Sequence, residues 1–300
     1  MKALVTGANG FVGHHLIEHL TNLGDKVEVL DHHGPEPVDV TDAESVRKRV
    51  IDVAPDAVYH LAALSHVGQS WSAPLQVFQV NAMGTLNVLR ACIDARVSRV
   101  LVVGSADEYG VCEADVTTID EDMPLRPITP YGASKVAAEV CAFQAYLGEQ
   151  LAAIRTRSFN HTGPGQSDQF VISSLAKRVV EAERAGTSEI RVGNLDAVRD
   201  FSDVRDVVRA YRLLVERADP GSAYNVCSGQ GSRVGDLAAQ LLAMSSRPLS
   251  LVVDPALVRP VEVPRLVGSN ARLRAATGWE PKYTLEQTLT DVIDFWRSKA

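Results

Sequence analysis

Read along the chain, the spacing of apolar residues alternates between two periods. Lys2 to Thr6 is a short β-rich run, Phe11 to Leu23 carries apolar residues at helical spacing, and Val27 to Leu30 is again a short run. Ala43 to Val53 returns to the helical period and Ala57 to Leu61 to the strand pattern. The rhythm continues with a predicted helix around Val77 to Ala95, a strand from Arg99 to Val103, a helix from Tyr131 to Gln150 and a strand from Ala153 to Arg157. Val100-Leu101-Val102-Val103 is apolar without alternation, as expected of a strand covered by helices on both faces. Six crossovers of this kind predict an α/β fold built on a doubly wound parallel sheet.

After Asn160 the pattern changes. Thr162-Gly163-Pro164-Gly165 is turn chemistry, and Gly/Pro punctuation thickens through Arg259-Pro260 and Val263-Pro264. A second, smaller lobe is expected there. The helical stretch Val204 to Glu216 and the strand Ala223 to Cys227 read as returns to the first sheet, so the lobes interleave. The division expected is residues 1–160 with 203–227 for the first domain, and 161–202 with 228–300 for the second.

Composition narrows the function. With 300 residues, 46% of them hydrophobic and 22% charged, the chain has material for a full core. Its net charge is −7 and it has no Lys/Arg-rich run, which argues against a nucleic-acid surface; an anionic ligand must meet locally placed arginines. Cys92, Cys112, Cys141 and Cys227 lack the C-x-x-C spacing of a zinc site, and His14 and His15 are neighbours on a helix, so no metal site is expected. The chain starts directly on a strand pattern without an apolar leader, and no stretch approaches the roughly 20 apolar residues of a membrane span. The expectation is a cytoplasmic protein.

Gly7-Ala8-Asn9-Gly10-Phe11-Val12-Gly13 follows the first strand and opens the first helix, where backbone amides and the positive helix end can meet a pyrophosphate. About twenty residues on, at the end of the second strand, Asp31 is placed to accept hydrogen bonds from ribose hydroxyls. This context makes the sheet a Rossmann-type one. An acid at Asp31 repels a 2'-phosphate, and His32, His33 and Gly34 bring no Arg or Lys, so NAD(H) is favoured, with NADP(H) still open. Asp39 or Val40 would lie against the adenine, with Asp42 capping the next helix.

Tyr131 and Lys135 stand at i and i+4 of a predicted helix, on one face, so the ammonium can lower the phenol's pKa toward the range of a usable acid/base. Ser105, beyond the Val100 to Val103 strand, is positioned to polarise a substrate oxygen. The same turn carries Asp107 and Glu108, read first as solvated turn acids, with a base acting on a substrate carbon as the sharper alternative. Asn81 is expected to bridge sheet and helix through its amide, while His66 and Trp71 follow the third strand and could line the pocket or simply pack.

Together, Gly7-x-x-Gly10-x-x-Gly13, His60-Leu61-Ala62-Ala63, Ser105-x-x-x-Tyr109-Gly110 and Tyr131-x-x-x-Lys135 resemble the extended short-chain dehydrogenases that act on nucleotide sugars. Arg157-Ser158-Phe159-Asn160-His161-Thr162-Gly163-Pro164-Gly165-Gln166, the run Val192 to Phe201 and Arg259-Pro260-Val261-Glu262-Val263-Pro264 are similar to the GDP-mannose branch, with its 4,6-dehydratases and 4-ketoreductases. The reductase pattern is nearer. The dehydratases carry Thr and Glu where Ser105 and Asp107 stand, basic residues where Asp31-His32-His33 follows the second strand, and an Arg-Lys pair where Ile172-Ser173-Ser174 is found.

The resemblance implies hydride delivery to the C4 ketone of a GDP-6-deoxy-4-keto-hexose, giving a product of the GDP-D-rhamnose type. It further implies that Leu61, Ala62 and Ala63 join the loop in holding the cofactor, and that Tyr131, Lys135, Ser105 and Asp107 surround the reacting carbon. Asn160, Arg199 and Arg259 would hold the diphosphate, Glu262 the guanosine ribose, and Lys177 or its surroundings the base. A homodimer through the helices near Val77 to Ala95 and Tyr131 to Gln150 is the expected assembly. A dehydratase or epimerase, and a non-catalytic NAD(H)-binding protein, are the alternatives.

Overall fold

The computed structural model describes residues 1–112, 116–257 and 263–299; Arg259 and Glu262 lie outside them. The chain begins with β1 (Lys2–Thr6), α1 (Phe11–Asn22), β2 (Lys26–Leu30), α2 (Ala43–Val53) and β3 (Ala57–His60). Two short helices, α3 (Val67–Ser70) and α4 (Pro74–Phe78), lead through a π-helical turn at Gln79–Met83 into α5 (Gly84–Asp94). β4 (Arg99–Ser105), a 3₁₀ turn at Ala106–Glu108, α6 (Pro130–Glu149) and β5 (Ala153–Ser158) follow. The remainder comprises β6 (Asn160–Thr162), α7 (Val171–Ala185), β7 (Glu189–Val192), β8 (Val198–Asp203), α8 (Val204–Arg217) and β9 (Ala223–Val226). It ends with β10 (Gly231–Arg233), α9 (Val234–Ala243), β11 (Ser250–Val253), β12 (Arg265–Leu266), α10 (Ala271–Thr277) and α11 (Leu285–Lys299).

Six parallel strands form the main sheet in the order β2-β1-β3-β4-β5-β9. Six strands need five crossovers, one fewer than the sequence pattern suggests. The order reverses between β1 and β3, and the space above their carboxyl ends is the usual ligand position in such sheets. One face is packed by Leu16 and Leu20 of α1, Val207, Tyr211 and Leu214 of α8, and Trp279. The other is packed by Val46 and Val50 of α2, Val88 and Leu89 of α5, and Ala142 and Ala145 of α6. Helices on both faces explain why β1 and β4 are apolar nearly throughout.

Local signals fix the helix starts. Asp42 caps α2 by accepting from the Glu44 and Ser45 amides, as the sequence predicts. Pro130 occupies the first turn of α6, behind a Thr129 hydroxyl that accepts from the Gly132 amide. The expected single helix from Val77 to Ala95 is instead α4, the π-helical turn and α5.

The second lobe has its own core, with Ile172, Leu175 and Val179 of α7, Leu237 and Leu241 of α9, and Leu289 and Val292 of α11. Its strands are short: β8 lies between β10 and β12 and also pairs with β6, while β7 pairs with β11. Within the C-terminal segment, Leu273 and Trp279 pack into the first lobe, and the Trp279 indole donates to the Asp206 carbonyl of α8. Among the described residues no helix is long and apolar enough to cross a membrane.

Candidate active site and nucleotide crevice

The glycine loop is the tightest part of the crevice. Gly7 has φ +67°, and a Cβ there would lie 2.8 Å from the Ala62 amide nitrogen; at Gly13 it would overlap the Gly7 and Ala8 carbonyl oxygens. Only glycine lets α1 seat so close to the ends of β1 and β3. The α1 N-terminus has no side-chain cap and no acid in its first turn, so its leading amides are left for an anion. This is a fit for a dinucleotide diphosphate, with Asn9, Gly10, Phe11, Val12 and Gly13 along it.

Asp31 follows directly on β2 and is 6% exposed. Its two carboxylate oxygens accept from the Asn9 and His33 amides at 3.0 and 3.1 Å. Burial pushes this carboxyl upward, but the Asn9 and His33 hydrogen bonds more than offset it and hold the group below its ordinary pKa. The charge is therefore secure, and His32 Nδ1 stands a further 3.3 Å from Oδ1. Asp39 is exposed and closes a turn onto Thr41, whereas Val40 is buried against Gly84 at the start of α5.

Leu61, Ala62 and Ala63 continue from β3 beside the glycine loop, where the Ala62 amide donates to the Thr6 hydroxyl. His60 beneath them is buried and bonded at both ring nitrogens, to Thr6 and Thr85, each at 2.8 Å. Thr85 gives its one hydroxyl proton to the Asn81 carbonyl, so His60 Nε2 donates to Thr85 and Nδ1 accepts from Thr6. Burial, then the charge of Lys135, holds the imidazole down to about 3, and it is a neutral strut.

Asn81, in the π-helical turn, bridges as expected. Its amide oxygen accepts from Leu64 N–H, and its nitrogen donates to the Leu64 carbonyl and to Ser134 Oγ of α6. Ser134 in turn donates to the Tyr131 carbonyl, so the bridge reaches the start of α6. His66 caps α3 and meets Phe170 edge-on, while Trp71 is exposed.

β4 runs two residues further than the pattern suggests and ends on Ser105, which then caps the 3₁₀ turn. The Ser105 oxygen accepts from the Asp107 amide, and its proton goes to Asp107 Oδ2, both at 3.1 Å. Gly132 of α6 fits against the Asp107 carbonyl with no room for a side chain, which locks the start of α6 over this turn. Tyr131 and Ser105 are thereby brought together, both almost fully buried.

Lys135, 6% exposed, donates to the Val103 carbonyl at 2.6 Å. Burial holds its ammonium down to about 8, while the Glu108 carboxyl acts against that. The phenol differs from expectation. Burial first, then the Asp107 charge, pushes Tyr131 well above its ordinary value, with the Ser105 hydroxyl pulling the other way. In this structure the phenol is a firmly protonated donor. Glu108 also differs from the solvated reading: it is 0% exposed and accepts from the Ser105 amide at 2.7 Å. A buried carboxyl so close to an apolar strand leaves no periodic signal, since the charged groups around it come from α6 and β5.

In the second lobe, Asn160 of β6 stands opposite Phe201 of β8 and is exposed. Arg199 of β8 donates to the Val198 carbonyl at 2.9 Å, and Lys177 of α7 pairs with Asp168 at 2.6 Å.

Comparison with known proteins gives this geometry a family. Residues 36–292 match the family model described as GDP-mannose 4,6 dehydratase. The GDP-6-deoxy-D-mannose reductase of Pseudomonas aeruginosa is 36% identical over 99% of this chain and 98% of its own. The solved structure of RMD from the same organism, complexed with NADPH, superposes with a TM-score of 0.91, covering 100% of this chain and 99% of that one at 36% identity. A Thermus thermophilus UDP-glucose 4-epimerase in complex with NAD superposes at 0.90, with 28% identity and full coverage of both chains. A glycine crevice, a Ser105/Tyr131/Lys135 turn and these matches lead to one assignment: the chain belongs to the GDP-mannose 4,6 dehydratase family, among the extended short-chain NAD(P)-dependent dehydrogenases.

Proposed function

We propose that the protein reduces the C4 ketone of a GDP-6-deoxy-4-keto-hexose, giving a product of the GDP-D-rhamnose type. The observation that carries the reading is the turn itself: a protonated, buried Tyr131 beside Ser105, with Asp107 rather than a longer acid on the same 3₁₀ turn. Tyr131 gives its proton to the nascent O4 alkoxide, and Ser105 polarises that oxygen once its hydroxyl swings from Asp107 Oδ2. Lys135, anchored on Val103, supplies the positive field that stabilises the phenolate left behind. A nicotinamide cofactor held by the glycine loop would supply the hydride.

Asp31 favours NADH, with NADPH as the second cofactor, because the carboxylate faces the place of a 2'-phosphate. Asn160, Arg199 and Arg259 are the diphosphate ligands of this reading, Glu262 the ribose ligand, and Lys177 marks the base end. Arginine's planar fork matches phosphate oxygens. A homodimer fits the exposed apolar residues Leu75, Val140, Phe143 and Leu147 on α4 and α6, with Met83 of the π-helical turn beside them.

The deciding experiment is turnover with GDP-mannose alone and with its 4-keto-6-deoxy product, the latter with NADH and with NADPH. Oxidation of reduced cofactor by the keto sugar, with GDP-mannose inert, is expected. Water loss from GDP-mannose without added reductant would overturn the reductase reading in favour of the dehydratase.

A further inference from the structure

Below the Ser105 turn lies a closed group of charges that the proposed chemistry does not use. Glu139, one turn along α6 from Lys135, is gripped by Arg157 of β5: Nε donates to Oε2 at 2.9 Å and Nη2 to Oε1 at 2.6 Å. Arg155 adds a third bond to Oε1 at 2.8 Å. The rest of Arg157 is spent on the Tyr109 hydroxyl and the Glu121 carbonyl, each at 2.9 Å. Both arginines thus serve one carboxylate, and Glu139 is 3% exposed.

Glu108 reaches the same group from the catalytic turn. One oxygen, Oε1, accepts from the Ser105 amide at 2.7 Å. The other, Oε2, is buried with no N–H or O–H donor in reach, and the nearest guanidinium nitrogen is 3.9 Å away. Room for this carboxyl exists because residue 104 is glycine; a Cβ there would collide with Oε1. An ionised carboxylate oxygen left bare in the interior is strongly unfavourable, whereas a protonated one gains a partner at once. Glu139, within hydrogen-bonding reach and with one lone pair left at Oε2, is that partner.

We infer that Glu108 is held as a neutral carboxylic acid donating its proton to Glu139, and that in this form it is a positioning residue for Ser105 and for the charge of Lys135. The inference rests on the reading of Ser105, Tyr131 and Lys135 given above. Burial, then the Glu139 carboxylate, raises Glu108 well above an ordinary carboxyl, while Glu139 is held low by Arg157 and Arg155 against its own burial.

The groups facing Glu108 are Asp107 on its own turn, Tyr131, Lys135 and Glu139 on α6, and Arg155 and Arg157 on β5. Among them Lys135 is the one whose role changes with the state of Glu108. Facing a neutral acid, the ammonium directs its field at the phenol; facing a carboxylate, it would be paired away from it. The proton on Glu108 therefore keeps the catalytic cation available.

The test combines infrared spectroscopy with kinetics on the full-length protein. The spectrum of the parent protein near neutral pH should contain a protonated-carboxyl stretch that Glu108→Gln removes. Glu108→Leu should lower kcat about tenfold or more, and Glu108→Gln, whose amide can accept from Ser105 and donate to Glu139, should recover it to within about fivefold. The alkaline limb of the kcat profile should move to lower pH in Glu108→Gln, because Lys135 then has no neighbour able to become an anion on that side. The inference is overturned if the Gln and parent spectra carry the same protonated-carboxyl band, or if Gln loses as much activity as Leu. Should neither variant fold, absence of any protonated-carboxyl band from the parent near neutral pH overturns it, and Glu108→Asp, which keeps the acid but withdraws it from Glu139, should lower kcat as Glu108→Leu would. The infrared outcome does not depend on the substrate, so it stands or falls apart from the proposed reaction.

Discussion

The two ends of the proposed reaction crevice are built from different materials. At the β1–α1 end the work falls to backbone: Gly7 and Gly13 press amides together, and Asp31 is steadied by two more amides. At the β4–α6 end it falls to side chains: Ser105, Asp107, Glu108, Tyr131, Lys135 and Glu139 converge on the 3₁₀ turn, all but Asp107 buried. A backbone site tolerates no added atoms but accepts many neighbouring sequences. A side-chain site tolerates isosteres but depends on where each proton sits.

The largest expected effect belongs to the second end. Tyr131→Phe should lower kcat by about 10²–10⁴, the usual worth of a positioned acid, with the melting temperature little changed because the ring stays buried. Turnover of the keto sugar under saturating cofactor measures it. If activity survives, the side-chain end is not where the proton comes from, and the contrast between the two ends collapses.

At the first end, Gly13→Ala should cost about 1–3 kcal/mol of stability, since the methyl meets two carbonyl oxygens, and cofactor affinity should fall with it. Urea unfolding and cofactor fluorescence titration report the two separately. A variant of full stability and affinity would show the loop to be looser than its geometry.

pH distinguishes the ends more finely. Lys135 is held down to about 8, below the roughly 10.4 of an unfolded lysine. A cation with a depressed folded pKa costs stability while charged, and that cost fades as pH rises from about 8 toward 10.4. Activity should therefore fall through about pH 8 with no loss of stability from this group. Parallel kcat and urea-midpoint profiles check it, and a midpoint falling in step with kcat would mean unfolding rather than lysine titration.

The smallest change is expected at Asp31→Asn. The NADH-to-NADPH preference should shift toward NADPH by about tenfold, as one charge-assisted bond is lost and one repulsion removed. The ratio of kcat/KM for the two cofactors measures it, and an unmoved ratio would leave the preference to His32, His33 and the residues beyond.

Legibility in the sequence follows the same division. The glycine loop is visible because glycines at fixed spacing after a strand have few other uses, and Asp31 because strand length sets its place. Tyr131 and Lys135 are visible through their helical spacing. The protonation of Tyr131 is not, because its burial and the nearness of Asp107 come from α6 seating on the 3₁₀ turn. Glu108 reads as a turn acid because its fate depends on Glu139 and Arg157, which lie 31 and 49 positions away in the chain. The sequence pattern yields one crossover too many, because a parallel sheet of six strands has only five connections between them.

The π-helical turn at Gln79–Met83 carries a consequence for how the chain can change. Such a turn holds one residue more than the regular helix around it, and it offsets the facing of everything on one side relative to the other by about 100°. Upstream of it, α4 keeps Val77 inward; downstream, α5 keeps Val88, Leu89 and Cys92 inward, and Asn81 sits at the join, aimed at Ser134. Deleting a single residue there would make the helix more regular and swing the Asn81 amide out of phase with Ser134. The irregularity is the gear that meshes two otherwise mismatched apolar stripes.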